Sequence, residues 1–145
     1  MKEKLLISSC LLGNNVKYNG KNNYIEGIEA LKELYDLVII CPEVMGGLSI
    51  PRIPSEIRNN QVFNKEGLNV TNEFLKGANI ALDLVNKHNI KYALLKDGSP
   101  SCGSTYIYDG TFNSIKINNF GMTVRLLKEK NIKIYTENNW KELLK

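Results

Sequence analysis

Cysteine, histidine and tryptophan are scarce in this chain of 145 residues, which has three cysteines, one histidine and one tryptophan. The solitary His88 has no Cys, Asp or Ser motif beside it, so it is a poor catalytic candidate, and we interpret it as a structural residue that closes a helix. An odd number of cysteines cannot pair completely, which argues against a disulfide scaffold. Each cysteine is therefore interpreted as buried filler, a metal ligand or a reactive thiol.

Long apolar runs and strong charge are also missing. No apolar run approaches a membrane span, and residues 1–4 lead straight into a strand-like segment rather than a signal-peptide core. The net charge of +4 lies in short lysine blocks mixed with glutamate, unlike the basic face of a nucleic-acid-binding module. We expect a cytoplasmic protein without a membrane or nucleic-acid partner. The length fits a single domain over residues 1–145.

Short apolar strands alternate with amphipathic helices along the chain. The predicted strands lie at 4–9, 37–40, 91–95 and 132–135. The predicted helices lie at 25–35, 71–88, 122–131 and 138–144. This alternation predicts an α/β fold, a single-domain open sandwich with a mostly parallel, Rossmann-like sheet and crossover helices. In such sheets, ligands bind outside the carboxyl ends of the strands.

Proline and glycine interrupt the segment 42–60, for which we predict a long ordered loop with at most one helical turn at 55–58. Loops of this length in a compact domain are usually functional. A small hairpin is predicted from 61–64 and 68–70. A second extended excursion is predicted at 106–112, with a tight Asp-Gly turn.

The three cysteines follow three of the predicted strands. Cys10 and Cys41 come directly after the first and second strands, and Cys102 lies in the loop after the third. Parallel strands about 4.8 Å apart deliver their ends to one rim, so these thiols can converge on one object. Three thiolates can hold a catalytic zinc with an open fourth position, or three irons of a four-iron cluster. The alternative is that each thiol is a small buried hydrophobic residue.

Glu43 lies two residues after Cys41. Desolvation and the negative charge of a thiolate would both raise the pKa of this carboxyl group and suit it to carry a proton. Its alternative role is that of a helix cap or a salt-bridge partner.

Small residues near the cysteines are predicted to contact a substrate. The segment 99–103 offers the hydroxyls of Ser99 and Ser101 and accessible backbone amides that could meet an oxyanion or cluster sulfur atoms. Gly46 and Gly47 would allow close approach of the backbone to a flat ligand, although most such pairs are simply turns. Ser99, Gly46 and Gly47 are our predicted substrate-binding residues.

Together these segments resemble the thiouracil desulfurase family. The motifs stand in collinear order at 6–13, 17–20, 41–48, 51–52, 99–103 and 108–112. The resemblance implies an enzyme that binds a four-iron four-sulfur (4Fe-4S) cluster through Cys10, Cys41 and Cys102. It implies removal of sulfur from 2-thiouracil without net redox change, giving uracil and hydrogen sulfide. It also implies an acid–base role for Glu43 and a catalytic role for Ser101, with the open iron binding the substrate sulfur.

One departure from the family pattern precedes the last motif. Asp97 and Gly98 stand where the family often has Ser and Arg, so a cation beside the site is lost, which bears on substrate identity. Longer relatives add a second domain and act on 2-thiouridine in transfer RNA, whereas the length and modest charge of this chain favour a free base or small thioamide. A zinc-dependent hydrolase with the same cysteines and a non-enzymatic nucleotide-binding module stay open as alternatives.

Overall fold

The computed structural model describes residues 2–145 of the chain. In chain order its strands and α-helices are β1 (Glu3–Ser8), β2 (Tyr35–Ile40), α1 (Pro42–Met45), β3 (Ser55–Arg58), β4 (Gln61–Asn64), α2 (Thr71–His88), β5 (Tyr92–Leu94), β6 (Ile107–Tyr108), β7 (Lys116–Ile117), α3 (Met122–Glu129) and β8 (Lys133–Tyr135). Short 3₁₀ helices lie at Ser9–Leu12, Ile28–Glu33 and Trp140–Leu144. None of the helices within residues 2–145 is both long enough and apolar enough to cross a membrane.

The central sheet has four strands in the order β2-β1-β5-β8, and every neighbouring pair is parallel. The predicted α/β architecture with a parallel, Rossmann-like sheet is confirmed. The four strands and the helices α2 and α3 begin and end within two residues of their predicted bounds.

The central strand β1 is covered on both faces, which explains its nearly continuous apolar sequence. Leu5, Leu6 and Ile7 are all fully buried. Leu6 packs into a core with side chains of α2 and α3. Leu5 and Ile7 point to the other face and pack with the 3₁₀ helices. The carboxyl end of this strand is therefore fixed from both sides of the sheet.

The segments 25–35 and 138–144 form short 3₁₀ helices instead of the predicted α-helices. Each buries two apolar residues that lie three positions apart, such as Ile28 and Leu31. A 3₁₀ helix has three residues per turn, so this spacing places both residues on one face. Gly27, with a left-handed φ of 85°, precedes the first of these helices and shortens it.

The segment 42–60 is more regular than predicted. The helix α1 begins at Pro42, whose fixed φ suits the first position of a helix. The predicted helical turn at 55–58 is wrong, because these residues form β3, which pairs antiparallel with β4. Asn59 and Asn60 join the two strands with φ values of 52° and 61°, the left-handed conformation of a tight hairpin turn.

The predicted hairpin between 61–64 and 68–70 is short: an antiparallel bridge joins Phe63 and Asn69, and the peptide N–H groups of Asn64 and Val70 donate to the carbonyls of Leu68 and Val62 at 2.9 and 2.8 Å. The strand β4 thus pairs with β3 along one edge and with this short segment along the other. The extended excursion predicted at 106–112 contains β6, which pairs antiparallel with β7. Side chains of β3, β4, β6 and α2 share a third apolar core beside the main sheet.

Candidate functional site

A cavity of about 460 Å³ lies at the carboxyl edge of the sheet, within the range of about 300–1,000 Å³ usual for small-molecule sites. Cys10 reaches it from the 3₁₀ helix that follows β1, Cys41 from the residue after β2, and Cys102 from the loop after β5. The structure therefore brings the three thiols, which are far apart in the sequence, into one cavity. Their role as metal ligands stays a prediction.

Burial is the largest influence on the pKa values of the Cys10 and Cys41 thiols. It raises the pKa of Cys10 above its ordinary value, partly offset by Asn23, whose Nδ2 donates a hydrogen bond to Sγ at 3.4 Å. It also raises the pKa of Cys41, partly offset by the peptide N–H of Val44.

Cys102 is the most deeply buried of the three, with 6% of its surface exposed. Burial raises the pKa of its thiol to about 12, although Ser8 Oγ donates a hydrogen bond to its Sγ at 3.8 Å. Proximity to Cys10 and Cys41 raises this pKa further. Thiols whose surroundings disfavour ionisation become thiolates readily only when a cationic group replaces their protons. The donor set thus fits a metal centre.

Within the described range 2–145, no group of three His, Cys, Asp or Glu side chains has a geometry that could hold a single metal ion.

Glu43 and Arg52 form a mostly buried ion pair in the cavity. Arg52 Nε donates to Glu43 Oε1 at 3.0 Å, and 8% of the Arg52 side chain and 16% of the Glu43 side chain are exposed. Burial raises the pKa of the Glu43 carboxyl group, and the guanidinium opposes that rise. Glu43 therefore lines the cavity and also forms a salt bridge, which the sequence left open as its alternative role.

Arg52 is a site residue to which the sequence analysis gives no role. Beyond Glu43, its guanidinium donates to the carbonyl oxygens of Val16 at 2.9 Å and Ser49 at 3.2 Å. Its peptide N–H also donates to the carbonyl of Tyr18 at 2.7 Å. In the sequence, Arg52 stands out only as part of the motif at 51–52. The fold shows that its guanidinium links the backbone at Val16 and Ser49 to the Glu43 carboxylate.

The departure at Asp97 and Gly98 has a structural reason. Asp97 Oδ1 accepts hydrogen bonds from the peptide N–H groups of Gly98, Ser104 and Thr105 at 2.9–3.0 Å. Burial alone would raise the pKa of this carboxyl group, but these backbone donors outweigh it and the pKa is lowered. Gly98 has a φ of 85°, and a Cβ there would lie 2.6 Å from Tyr106 Oη and 2.7–2.8 Å from two of its ring carbons. Both residues thus suit the conformation of the loop that carries Cys102.

Cations line the cavity even without the family's arginine at this point. Lys96 and Arg52 are both in the cavity wall. Lys96 Nζ lies 2.9 Å from Glu137 Oε2 and donates to the carbonyl of Asp97 at 2.9 Å. The loop therefore keeps a positive charge, that of Lys96, next to Asp97.

Ser99 and Ser101 both line the cavity, but they have different partners. Ser99 Oγ accepts from the peptide N–H of Cys102 at 2.6 Å and of Ser101 at 3.2 Å. Both bonds use the oxygen as acceptor, so the Ser99 proton stays available to a ligand. Ser101 Oγ lies 2.9 Å from Thr123 Oγ1, a partner that the sequence analysis does not identify.

Gly46 and Gly47 do not line the cavity. A Cβ at Gly46 would lie 1.9 Å from the carbonyl oxygen of Glu73, and one at Gly77 would lie 1.8 Å from that of Pro42. Gly46 is therefore required where α1 packs backbone to backbone on α2. Gly47 has a φ of 106°, a turn conformation that favours glycine. The predicted substrate-binding role of this pair stays a prediction without support from the cavity lining.

Comparison with known proteins places this site in context. A family model described as 2-thiouracil desulfurase matches residues 5–139. The uncharacterized protein YbbK of Bacillus subtilis (strain 168) is 36% identical over 150 residues, which cover 97% of this chain and 99% of YbbK. A solved structure of the 4Fe-4S-dependent thiouracil desulfidase TudS is 42% identical, with a TM-score of 0.93 over 99% of this chain and 96% of that one. These matches span every cavity residue described above.

Proposed function

This chain belongs to the 2-thiouracil desulfurase family, and we propose that it is an iron–sulfur desulfidase that converts 2-thiouracil or a related small thio-base to the oxo-base and hydrogen sulfide. The observation that carries the proposal is the meeting of three thiols from three strand ends in one cavity. The reaction exchanges C=S for C=O, consumes one water molecule, and changes no net oxidation state.

Cys10, Cys41 and Cys102 would hold a 4Fe-4S cluster through three of its irons. Their burial, which disfavours free thiolates, supports a bound cationic group at this position. Similarity to a protein described as a 4Fe-4S-dependent desulfidase favours this cluster over the zinc-dependent hydrolase and the non-enzymatic nucleotide-binding module. When bound, the cluster would supply an iron without a protein ligand, a Lewis acid for the thiocarbonyl sulfur.

Glu43 would carry the proton. Its carboxylate takes a proton from the water that attacks the thiocarbonyl carbon, and returns it to the sulfur as the carbon–sulfur bond breaks. Arg52 is the one hydrogen-bond partner of the Glu43 side chain within residues 2–145, and it engages Oε1. The guanidinium thus fixes the carboxylate and leaves its second oxygen to exchange protons.

Ser101 would hold the oxygen nucleophile beside the reacting carbon, and Ser99 would donate a hydrogen bond to the substrate. Both side chains line the same cavity as the thiols and Glu43. Ser99 also fixes the peptide N–H of Cys102, so substrate contact and the position of the third thiol depend on the same side chain.

A planar ring fits the aromatic part of the cavity wall. Tyr18, Tyr106 and Tyr108 all line the cavity, and the last two rings meet edge to face with centroids 5.9 Å apart. Aromatic faces bind flat heterocycles well. This wall supports a free thio-base as the substrate.

Anaerobic reconstitution with iron and sulfide, followed by incubation with 2-thiouracil, tests the proposal. We expect a brown protein with broad visible absorption that releases sulfide and uracil in equal amounts. Uracil itself and the cluster-free protein serve as controls. Loaded protein that releases no sulfide from 2-thiouracil or other small thio-bases would refute the proposed function.

A further inference from the structure

The start of α3 is packed against the loop that carries Cys102. Peptide N–H groups of residues 121–123 donate to carbonyl oxygens of residues 100–103 at 2.8–3.0 Å. A Cβ at Gly121 would lie 2.4 Å from the carbonyl oxygen of Ser101, so the two backbones touch without an intervening side chain. The first turn of α3 therefore fixes the position of Ser101.

Thr123, in that first turn, has a hydroxyl that the reaction as described above does not use. Thr123 is fully buried and Ser101 is 1% exposed, and their hydroxyl oxygens lie 2.9 Å apart. Within residues 2–145, Ser101 is the one hydrogen-bond partner of the Thr123 hydroxyl. Thr123 itself does not line the cavity, whereas Ser101 does.

The surroundings of the pair determine which hydroxyl donates. A buried hydroxyl proton without an acceptor is costly, and the Thr123 proton has Ser101 Oγ as its acceptor. If Ser101 donated instead, the Thr123 proton would be buried without a partner. With Thr123 as the donor, the Ser101 proton is free to point into the cavity that Ser101 lines.

We propose that Thr123 is a positioning residue that holds Ser101 with its hydroxyl proton directed into the cavity, where Ser101 holds the oxygen nucleophile. The inference rests on the catalytic role of Ser101 in the proposed function. Thr123 acts through Ser101 and does not itself line the cavity.

Four variants of the cluster-loaded protein test this role: Thr123→Val, Thr123→Ser, Ser101→Ala and the double variant Thr123→Val/Ser101→Ala. For Thr123→Val, which removes the hydroxyl and keeps the shape, we expect kcat to fall roughly tenfold, the size of one lost hydrogen bond, with KM unchanged. Iron content and 2-thiouracil binding, followed by titration of the visible absorption, should also stay unchanged. Thr123→Ser should restore kcat to within about twofold of the unmodified protein.

The double variant separates positioning from a general structural effect. Once Ser101 is replaced by alanine, Thr123→Val should lower kcat no further, because the residue through which it acts is gone. An equal further loss in that background, or an unchanged kcat in Thr123→Val alone, would overturn the inference. If Thr123→Val does not load iron, Thr123→Ala replaces it with the same expectations.

The two proposals fail in different ways. Sulfide release that is unaffected by Ser101→Ala refutes the assigned role of Ser101, and the role of Thr123 with it. A large loss in Ser101→Ala together with normal turnover in Thr123→Val refutes the role of Thr123 and leaves the proposed function standing.

Discussion

Arg52 binds Glu43 through a 3.0 Å hydrogen bond in a nearly buried setting, and the same guanidinium also holds two backbone carbonyls. Removing one partner of a buried ion pair leaves the other charge without compensation, at a cost of about 3–5 kcal/mol. We therefore expect Arg52→Met to lower the free energy of unfolding by about 3 kcal/mol or more in urea denaturation.

Two control variants separate the charge of Arg52 from its geometry. Arg52→Lys keeps the charge and loses the forked hydrogen bonds, so it should lie between the parent and Arg52→Met. The double variant Arg52→Met/Glu43→Leu should recover part of the loss, since it leaves no buried charge. A loss below about 1 kcal/mol in Arg52→Met would show that the pair behaves as an exposed surface pair.

Glu43→Gln should keep the iron and lose turnover. The amide preserves size but cannot carry the proton, and positioned proton transfer contributes about 10²- to 10⁴-fold to rate. Sulfide release per loaded protein should fall by at least about 100-fold. Glu56→Gln is the matched control, because Glu56 lines the same cavity but uses Oε1 to accept the peptide N–H groups of Gly110 and Phe112. Equal losses in both variants would contradict the role of Glu43.

Replacing any one of Cys10, Cys41 and Cys102 by serine should abolish both the visible absorption after anaerobic reconstitution and sulfide release. Serine is a poor substitute for a thiolate ligand of iron. Met45→Leu in α1 is the control. Met45 packs against the core that Leu6 forms with side chains of α2 and α3, and it is outside the cavity lining. Full iron content in all three serine variants would show that the thiols are core filler.

Asp97 makes stability depend on pH. Its pKa is lowered in the folded chain, so its stabilising effect is complete above the unfolded pKa of about 3.9 and is lost as the pH falls through the folded value. Asp97→Asn keeps the acceptor oxygen without the charge. The stability advantage of the parent over Asp97→Asn should therefore be largest near pH 7 and should shrink below about pH 4. Urea midpoints measured from pH 7 to pH 3 that differ by a constant amount would contradict this assignment.

The rim of the sheet could be predicted from the sequence because its determinants are local. The apolar run at Leu5–Ile7 marks a strand buried on both faces, and the cysteine that follows such a strand must lie at its carboxyl end. Parallel pairing then brings Cys10 and Cys41 to one edge, whatever their distance along the chain. Glu43 is placed in the same way, three residues beyond the end of β2.

The parts that could not be predicted depend on contacts between distant segments. Arg52 contacts Glu43, and Thr123 contacts Ser101, through hydrogen bonds to residues 9 and 22 positions away, and such contacts leave no periodic signal. The strand at 55–58 has one buried apolar residue, Ile57, so its pattern is too short to identify. From the sequence, Gly46 is predicted to contact a ligand. The fold shows that the backbone of α2 packs against its Cα.

The close approach of α1 and α2 at Gly46 and Gly77 has a further effect on how the enzyme tolerates change. A methyl group on Gly77 would lie 1.8 Å from the carbonyl oxygen of Pro42, so the backbone there would have to shift, next to Glu43. Loss of function could therefore arise from a residue outside the cavity lining. A random mutagenesis screen for lost sulfide release should recover position 77 alongside the three cysteines.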